Sequence, residues 1–188
     1  MGKFTFEQTG LAGCILVRPT VYGDARGYFM ETYHEGEFKA AGIDATFVQD
    51  NQSKSSKGVL RGLHFQRTCP QGKLVRVVSG AVFDVAVDLR PASSTFGKWF
   101  GTELSADNKA QLYVPQGFAH GFLVLSDEAE FTYKCTDFYA PGDEGGLCYD
   151  DAQVGVQWPD IGMPYLLSEK DGKYPPLQEQ NFDFFNRW

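Results

Sequence analysis

The chain has 188 residues, which fits one domain spanning residues 1–188, because single cores serve chains of up to about 250 residues. Its 24 acidic residues outnumber 17 basic ones, for a formal charge of -7, and that balance argues against a general nucleic-acid binder or an anionic-membrane binder, both of which rely on basic surfaces. Aromatics at 15%, with 21 Gly and 9 Pro, set large side chains between frequent turn signals, a pattern of many short strands rather than long helices.

In chain order, the opening MGKFTFEQTG has no apolar run long enough for a signal peptide, and Phe6 stands where an N-myristoylation signal needs Ser or Thr. A β-branched run at 14–18 predicts the first strand. Residues 35–41 predict a helix ended by Gly42, and His34 just before it reads as a surface histidine. A strand is expected at 46–51. The segment GVLRGLHFQ at 58–66 then sets His64 between Leu63 and Phe65, with Arg61 three residues before it. Runs at 73–78 and 81–89, joined at Ser79-Gly80, predict a hairpin; the second alternates Phe83, Val85 and Val87 against Asp84, Ala86 and Asp88, so one face is polar or functional.

Further strands are expected at 99–104, 111–114, 122–125 and 131–136. The least charged stretch, 110–126, is interrupted by Pro115, Gly117, His120 and Gly121, so it reads as strand, turn, strand and not as a bilayer span. A short helical piece is expected around 177–185. The spacing predicts an antiparallel sandwich or barrel. Cys14, Cys69, Cys135 and Cys148 are scattered with no C-x-x-C pair, which argues against a zinc knuckle or redox pair and points to a reducing cytoplasm.

A histidine among apolar neighbours, beside a fixed positive charge, suits proton abstraction from an anionic substrate, since an unperturbed imidazole titrates at about 6.5. The alternative for His64 and His120 is a core histidine with satisfied ring nitrogens.

Seven segments in register resemble the dTDP-4-dehydrorhamnose 3,5-epimerase family: FVQDN at 47–51, VLRGLHFQ at 59–66, QGKLVR at 71–76, VFDVAVDLR at 82–90, YVPQGFAHGFLVL at 113–125, FTYKCTD at 131–137 and LSEKD at 167–171. The resemblance runs from about residue 18 to residue 177. It implies an all-β, cupin-type antiparallel jelly-roll barrel with a few short helices, a homodimer, and no metal or cofactor. It also implies conversion of dTDP-4-dehydro-6-deoxy-D-glucose to dTDP-4-dehydro-L-rhamnose by inversion at C3 and C5, in the cytoplasm, for dTDP-rhamnose and cell-surface polysaccharide.

By the same resemblance His64 is the base with Asp171 as its partner, Lys73 lies near the sugar ketone and Tyr133 is the general acid. Arg26 and Arg61 match substrate contacts whose forks suit phosphate oxygens. Phe29, Glu31, Gln49, Asn51, His120, Glu144 and Lys170 fall on contact positions as well, with a solvated surface carboxylate as the other reading of Glu31 and Glu144. Strict alternation puts Tyr139 on the face of Tyr133 and Phe138 on the other, which favours Tyr139 for stacking on thymine if the strand runs that far; ordinary aromatic core is the alternative.

Two places depart from the family pattern. Around Cys148-Tyr149-Asp150 the family usually has a tryptophan, and the tail NFDFFNRW has no counterpart, so the dimer edge or pocket lid is expected to differ. Three rivals remain at this level. A metal-dependent cupin enzyme needs several histidines and a carboxylate, but Phe65 and Gln66 follow His64, so the H-x-H pair is missing. A pure sugar-nucleotide binding module has no need for Asp171 behind His64. An epimerase acting at C3 alone or C5 alone shares most of this framework.

Overall fold

Strands whose two faces differ in polarity must bury one of them, and here two sheets bury theirs against each other. The structure, a computed structural model, describes residues 2–188. In chain order the elements are β1 (Phe4–Gln8), β2 (Ile15–Pro19), β3 (Tyr22–Asp24), β4 (Gly27–Phe29), α1 (Glu35–Ala40), β5 (Gln49–Ser56), β6 (Leu60–Gln66), β7 (Lys73–Ser79), β8 (Ala81–Asp88), β9 (Trp99–Ser105), β10 (Gln111–Val114), β11 (Phe118–Val124), β12 (Glu128–Cys135) and β13 (Glu144–Gly146). One sheet has the order β1-β2-β10-β7-β12-β5 and the other β13-β6-β11-β8-β9, while β3 and β4 form a separate ribbon. Apart from β1–β2 and β8–β9, which follow one another in the chain, neighbours in each sheet come from distant parts of the chain, and all run antiparallel, the wiring of a jelly-roll barrel.

The core between the sheets joins Val75, Leu112 and Phe131 to Val82, Leu104, Phe122 and Val124. A second cluster lies on the other side of the five-stranded sheet, where Leu63, Phe65, Val85 and Val87 are covered by Leu177, Phe182 and Phe185. Phe185 is fully buried, worth about 2–3 kcal/mol of apolar transfer. The tail with no counterpart in the family pattern therefore packs behind the strand that carries His64. On the six-stranded sheet α1 buries Phe38 against Ile15 and Val17. His34 is exposed and caps α1, its Nδ1 accepting the Glu37 N–H at 3.3 Å.

Several sequence expectations need correction. The runs at 73–78 and 81–89 are strands, but not a hairpin: β7 and β8 belong to different sheets, and Gly80 carries the chain from one to the other. Gly80 has φ +75°, and a Cβ there would lie 2.0 Å from the Glu128 carbonyl oxygen, so the corner admits only glycine. A glycine turn between two alternating runs looks the same in sequence whichever way the strands go. The strand expected at 46–51 begins at Gln49 and continues to Ser56, because its inward residues Gln49, Asn51, Ser53 and Ser55 are polar and leave no hydrophobic alternation. β11 starts at Phe118, ahead of the expected 122, and the tail of the chain forms two single 3-10 turns, Leu177–Glu179 and Asp183–Phe185.

Where β6 meets β11 the backbones come unusually close. Gly62 has φ +117°, and a Cβ on it would lie 2.6 Å from the Gly121 Cα and 2.8 Å from the His120 carbonyl oxygen. This closeness sets His64 directly opposite His120 in the ladder. We expect Gly62→Ala to lower unfolding free energy by about 3 kcal/mol or more, from backbone strain plus overpacking, seen as a lower urea midpoint. An unchanged midpoint would mean that the two strands can separate at little cost. Among the described residues, no helix is long and apolar enough to cross a membrane.

Candidate active site

The polar inner face of β5 keeps the apolar core from closing between the sheets, and the opening is lined by titratable side chains. His64 on β6 comes from the five-stranded sheet, whereas Lys73 on β7 and Tyr133 on β12 come from the six-stranded one. All three line a cavity of about 210 Å³ that also receives Tyr139 and Glu144. The same three line an adjoining cavity of about 140 Å³, walled by Arg61, His120 and Ser53. His64 and Tyr133 thus face one space from opposing sheets.

Asp171 is buried at the start of a 3-10 turn, Asp171–Lys173, and its Oδ1 lies 2.6 Å from His64 Nε2. Burial alone raises a carboxyl group. The hydrogen bond and charge of His64, with further bonds from Ser168 and the Gly62 backbone, more than offset it and hold Asp171 below the usual carboxylate range. An ionised carboxylate can only accept, so His64 donates from Nε2, and in the neutral form of the ring the lone pair sits on Nδ1.

Lys73 is half-buried, and among the described residues no carboxylate stands within ion-pairing distance of it. Desolvation pushes its ammonium down, opposed by more distant charge at Cys135, Glu144 and Asp84. Burial pushes the Tyr133 hydroxyl up, so it is a protonated donor at neutral pH. His120 is buried on β11, with Nε2 at 3.0 and 3.1 Å from the two oxygens of fully buried Asp84. One ring nitrogen of His120 is satisfied, as in the core reading, yet the ring also walls the cavity.

Glu144 is not a solvated surface carboxylate. Its Oε1 accepts from Lys170 Nζ at 2.6 Å and from the Tyr174 hydroxyl at 3.2 Å, and its Oε2 accepts from the Tyr139 hydroxyl at 3.0 Å. Burial raises its pKa, but the Lys170 hydrogen bond and the His64 charge lower it further, for a net position below the ordinary value. Tyr139 reaches the cavity by a different route from the one expected: β12 stops at Cys135, so strand alternation does not extend to it. Its backbone N–H is held by Gln49 Oε1 at 2.9 Å, and Gln49 Nε2 in turn donates to Asn51 Oδ1 at 2.9 Å. Phe138 points to solvent, 63% exposed. Arg61 donates from Nε to Ser55 Oγ at 3.1 Å at the cavity edge.

Three expected contacts are not gathered here. Arg26 and Phe29 lie on the β3–β4 ribbon, in a separate shallow recess with Tyr22 and Tyr28, where Arg26 pairs with Asp24. Glu31 pairs with Lys3. Sequence reasoning, for its part, missed Ser53, hidden in a polar run, and Tyr174, whose only signal was its place three residues after Asp171. Among the described residues, no three His, Cys, Asp or Glu side chains stand together as a metal site would require.

A family model described as dTDP-4-dehydrorhamnose 3,5-epimerase matches residues 8–179. The chain belongs to the dTDP-4-dehydrorhamnose 3,5-epimerase family. It is 52% identical over 180 residues to the dTDP-4-dehydrorhamnose 3,5-epimerase of Methanothermobacter thermautotrophicus, covering 95% of this chain and 97% of that one. Its fold is similar to the crystal structure of the Elizabethkingia anophelis enzyme, with TM-score 0.92 and 49% identity over 96% of this chain and 100% of that one. It is also similar to a Legionella pneumophila dTDP-6-deoxy-D-glucose-3,5-epimerase solved with dTDP-4-keto-L-rhamnose, with TM-score 0.93 and 46% identity over 98% of both. As a member of this epimerase family the protein is an isomerase of dTDP-rhamnose biosynthesis, and its barrel is of the cupin type. Residues 180–188 lie outside the family match.

Proposed function

We propose that His64 and Tyr133 invert C3 and C5 of dTDP-4-dehydro-6-deoxy-D-glucose by removing a proton from one face of each carbon and supplying one to the other. The observation that carries this reading is the His64–Asp171 pair facing Tyr133 across one cavity. The C4 ketone makes hydrogens on both neighbouring carbons acidic. His64 takes one through Nδ1, and the C–H electron pair moves into an enolate whose oxygen carries the charge. Asp171, still ionised, stabilises the imidazolium. Lys73, which pairs with no carboxylate among the described residues, would stabilise the enolate oxygen. Tyr133 protonates the far face, and exchange with solvent returns the phenol and the imidazole to their starting states. No electrons are gained or lost, so the scheme calls on no cofactor.

Arg61 and Lys170 suit the diphosphate, and Tyr139 at the mouth suits the flat thymine. Arg26 and Phe29 stand on a ribbon apart from both sheets, with Tyr28 and Phe29 61% and 65% exposed, and they line a recess separate from the cavity that holds His64 and Tyr133. In our reading they complete a neighbour's site in a homodimer, with Glu31 at the base of the same arm. Four free thiols fit a cytoplasmic enzyme whose product feeds a cell-surface polysaccharide.

Incubation with the dTDP-4-keto sugar in heavy water is expected to put solvent deuterium at both C3 and C5. Label at one carbon alone would make the protein a mono-epimerase.

A further inference from the structure

The imidazole of His64 touches a residue that this chemistry leaves idle. Tyr174 directly follows the Asp171–Lys173 turn, three positions after the carboxylate that binds His64. Its ring meets the His64 ring edge-on, with centroids 5.7 Å apart and planes at 76°. Against the same ring lies Gly146 of β13, the residue opposite His64 in the β13–β6 ladder. A Cβ on Gly146 would come within 2.3 to 2.4 Å of three ring carbons, so the tyrosine occupies the space that a side chain on that strand would fill. The hydroxyl anchors the other end of the ring by donating to Glu144 Oε1, which also holds Lys170 and lies 3.8 Å from His64 Nε2.

We infer that Tyr174 is a positioning residue, a wedge that keeps the His64 ring in the one orientation that serves both proton transfers. The inference rests on the reading of His64 as the base. A single hydrogen bond to Asp171 fixes one nitrogen but lets the ring swing about that bond, and the side chain is half-buried, with open cavity beside it. Proton abstraction tolerates little of that swing, since misplacement by 1 Å can cost roughly 10²-fold in rate. The edge of Tyr174 closes the direction in which the ring would turn. Burial, and the Glu144 charge after it, push the Tyr174 phenol up to about 12, so the hydroxyl stays a donor to Glu144 throughout the working pH range, a tether secondary to the seating of the ring against Gly146.

The test is steady-state kinetics on four variants, with thermal melting of each. Tyr174→Ala is expected to lower kcat roughly 10- to 100-fold while KM stays within about threefold, because orientation is lost and binding is not. Tyr174→Phe keeps the ring and is expected to restore kcat to within about threefold of the parent. Gly146→Ala pushes the ring aside without removing it and is expected to resemble Tyr174→Ala. Because both act through one contact, the double variant should be no slower than the slower single one. Normal kcat in Tyr174→Ala, a loss confined to KM, a Phe variant as slow as the Ala variant, or losses that multiply in the double would each overturn the wedge. Should Tyr174→Ala fail to fold, Gly146→Ala alone decides, since it keeps every catalytic side chain. His64→Ala run alongside separates the two readings: full activity there removes the base assignment, whereas an inactive His64→Ala beside an active Tyr174→Ala removes only the wedge.

Discussion

His64→Ala is expected to lower epimerisation by roughly 10²- to 10⁴-fold, the range that a positioned general base supplies, with solvent exchange at C3 and C5 falling in parallel. Exchange is expected to fall too because His120, which sits opposite in the ladder and walls the same cavity, has its Nε2 committed to Asp84. Asp171→Asn should come close to the same loss by another route. It preserves shape and volume, but it removes the charge that stabilises the imidazolium, and it frees the ring to present the wrong tautomer. Both variants should still bind dTDP within about threefold of the parent by calorimetry, because in the proposed reading other side chains meet the diphosphate and thymine. Near-normal exchange in either variant would remove His64 as the base. A parallel loss of dTDP affinity would instead point to a collapsed pocket.

Of the residues behind that prediction, His64 stood out in the sequence for a physical reason, while Asp171 was reached through the resemblance to the family. A core does not ask for a histidine between Leu63 and Phe65 beside Arg61, so that polar intrusion marked a place where the barrel opens, whereas Lys73 and Tyr133 were reached only through the resemblance to the family. Asp84 and Asp88 marked the polar positions of β8 in the same way: Asp84 backs His120, while Asp88 is buried and accepts from Arg90, Ser93 and Thr95 to pin the loop after β8. Periodicity tells which residues share a face but not which sheet a strand joins, so β7 and β8 read as a hairpin when they are the corner between two sheets. β5 was cut short because its inner face is Gln, Asn and Ser, and the very polarity that makes it a pocket wall erased its strand signal. Tyr174 was invisible for a third reason. Its role comes from a glycine on another strand that leaves room for its ring, and no local pattern encodes that pairing.

Tyr133→Phe is expected to separate the two halves of the reaction. The variant keeps the ring, its place beside Phe131 and the packing of β12, and loses only the proton carried by the hydroxyl. His64 can still take a proton from the substrate and Lys73 can still stabilise the enolate, so deuterium from heavy water should continue to enter at the first carbon attacked. What the variant lacks is a donor on the opposite face, because the five-stranded sheet can only return the proton to the side it came from. Exchange should therefore persist, within about tenfold of the parent, while inversion falls roughly 10²- to 10⁴-fold. Proton NMR of the labelled sugar reads both at once, since coupling constants report configuration and signal loss reports exchange. If inversion survives in Tyr133→Phe, the acid is another group and the two-sheet arrangement is incidental. If exchange and inversion vanish together, Tyr133 acts in enolate formation itself, and the division of labour between the two sheets would have to be redrawn.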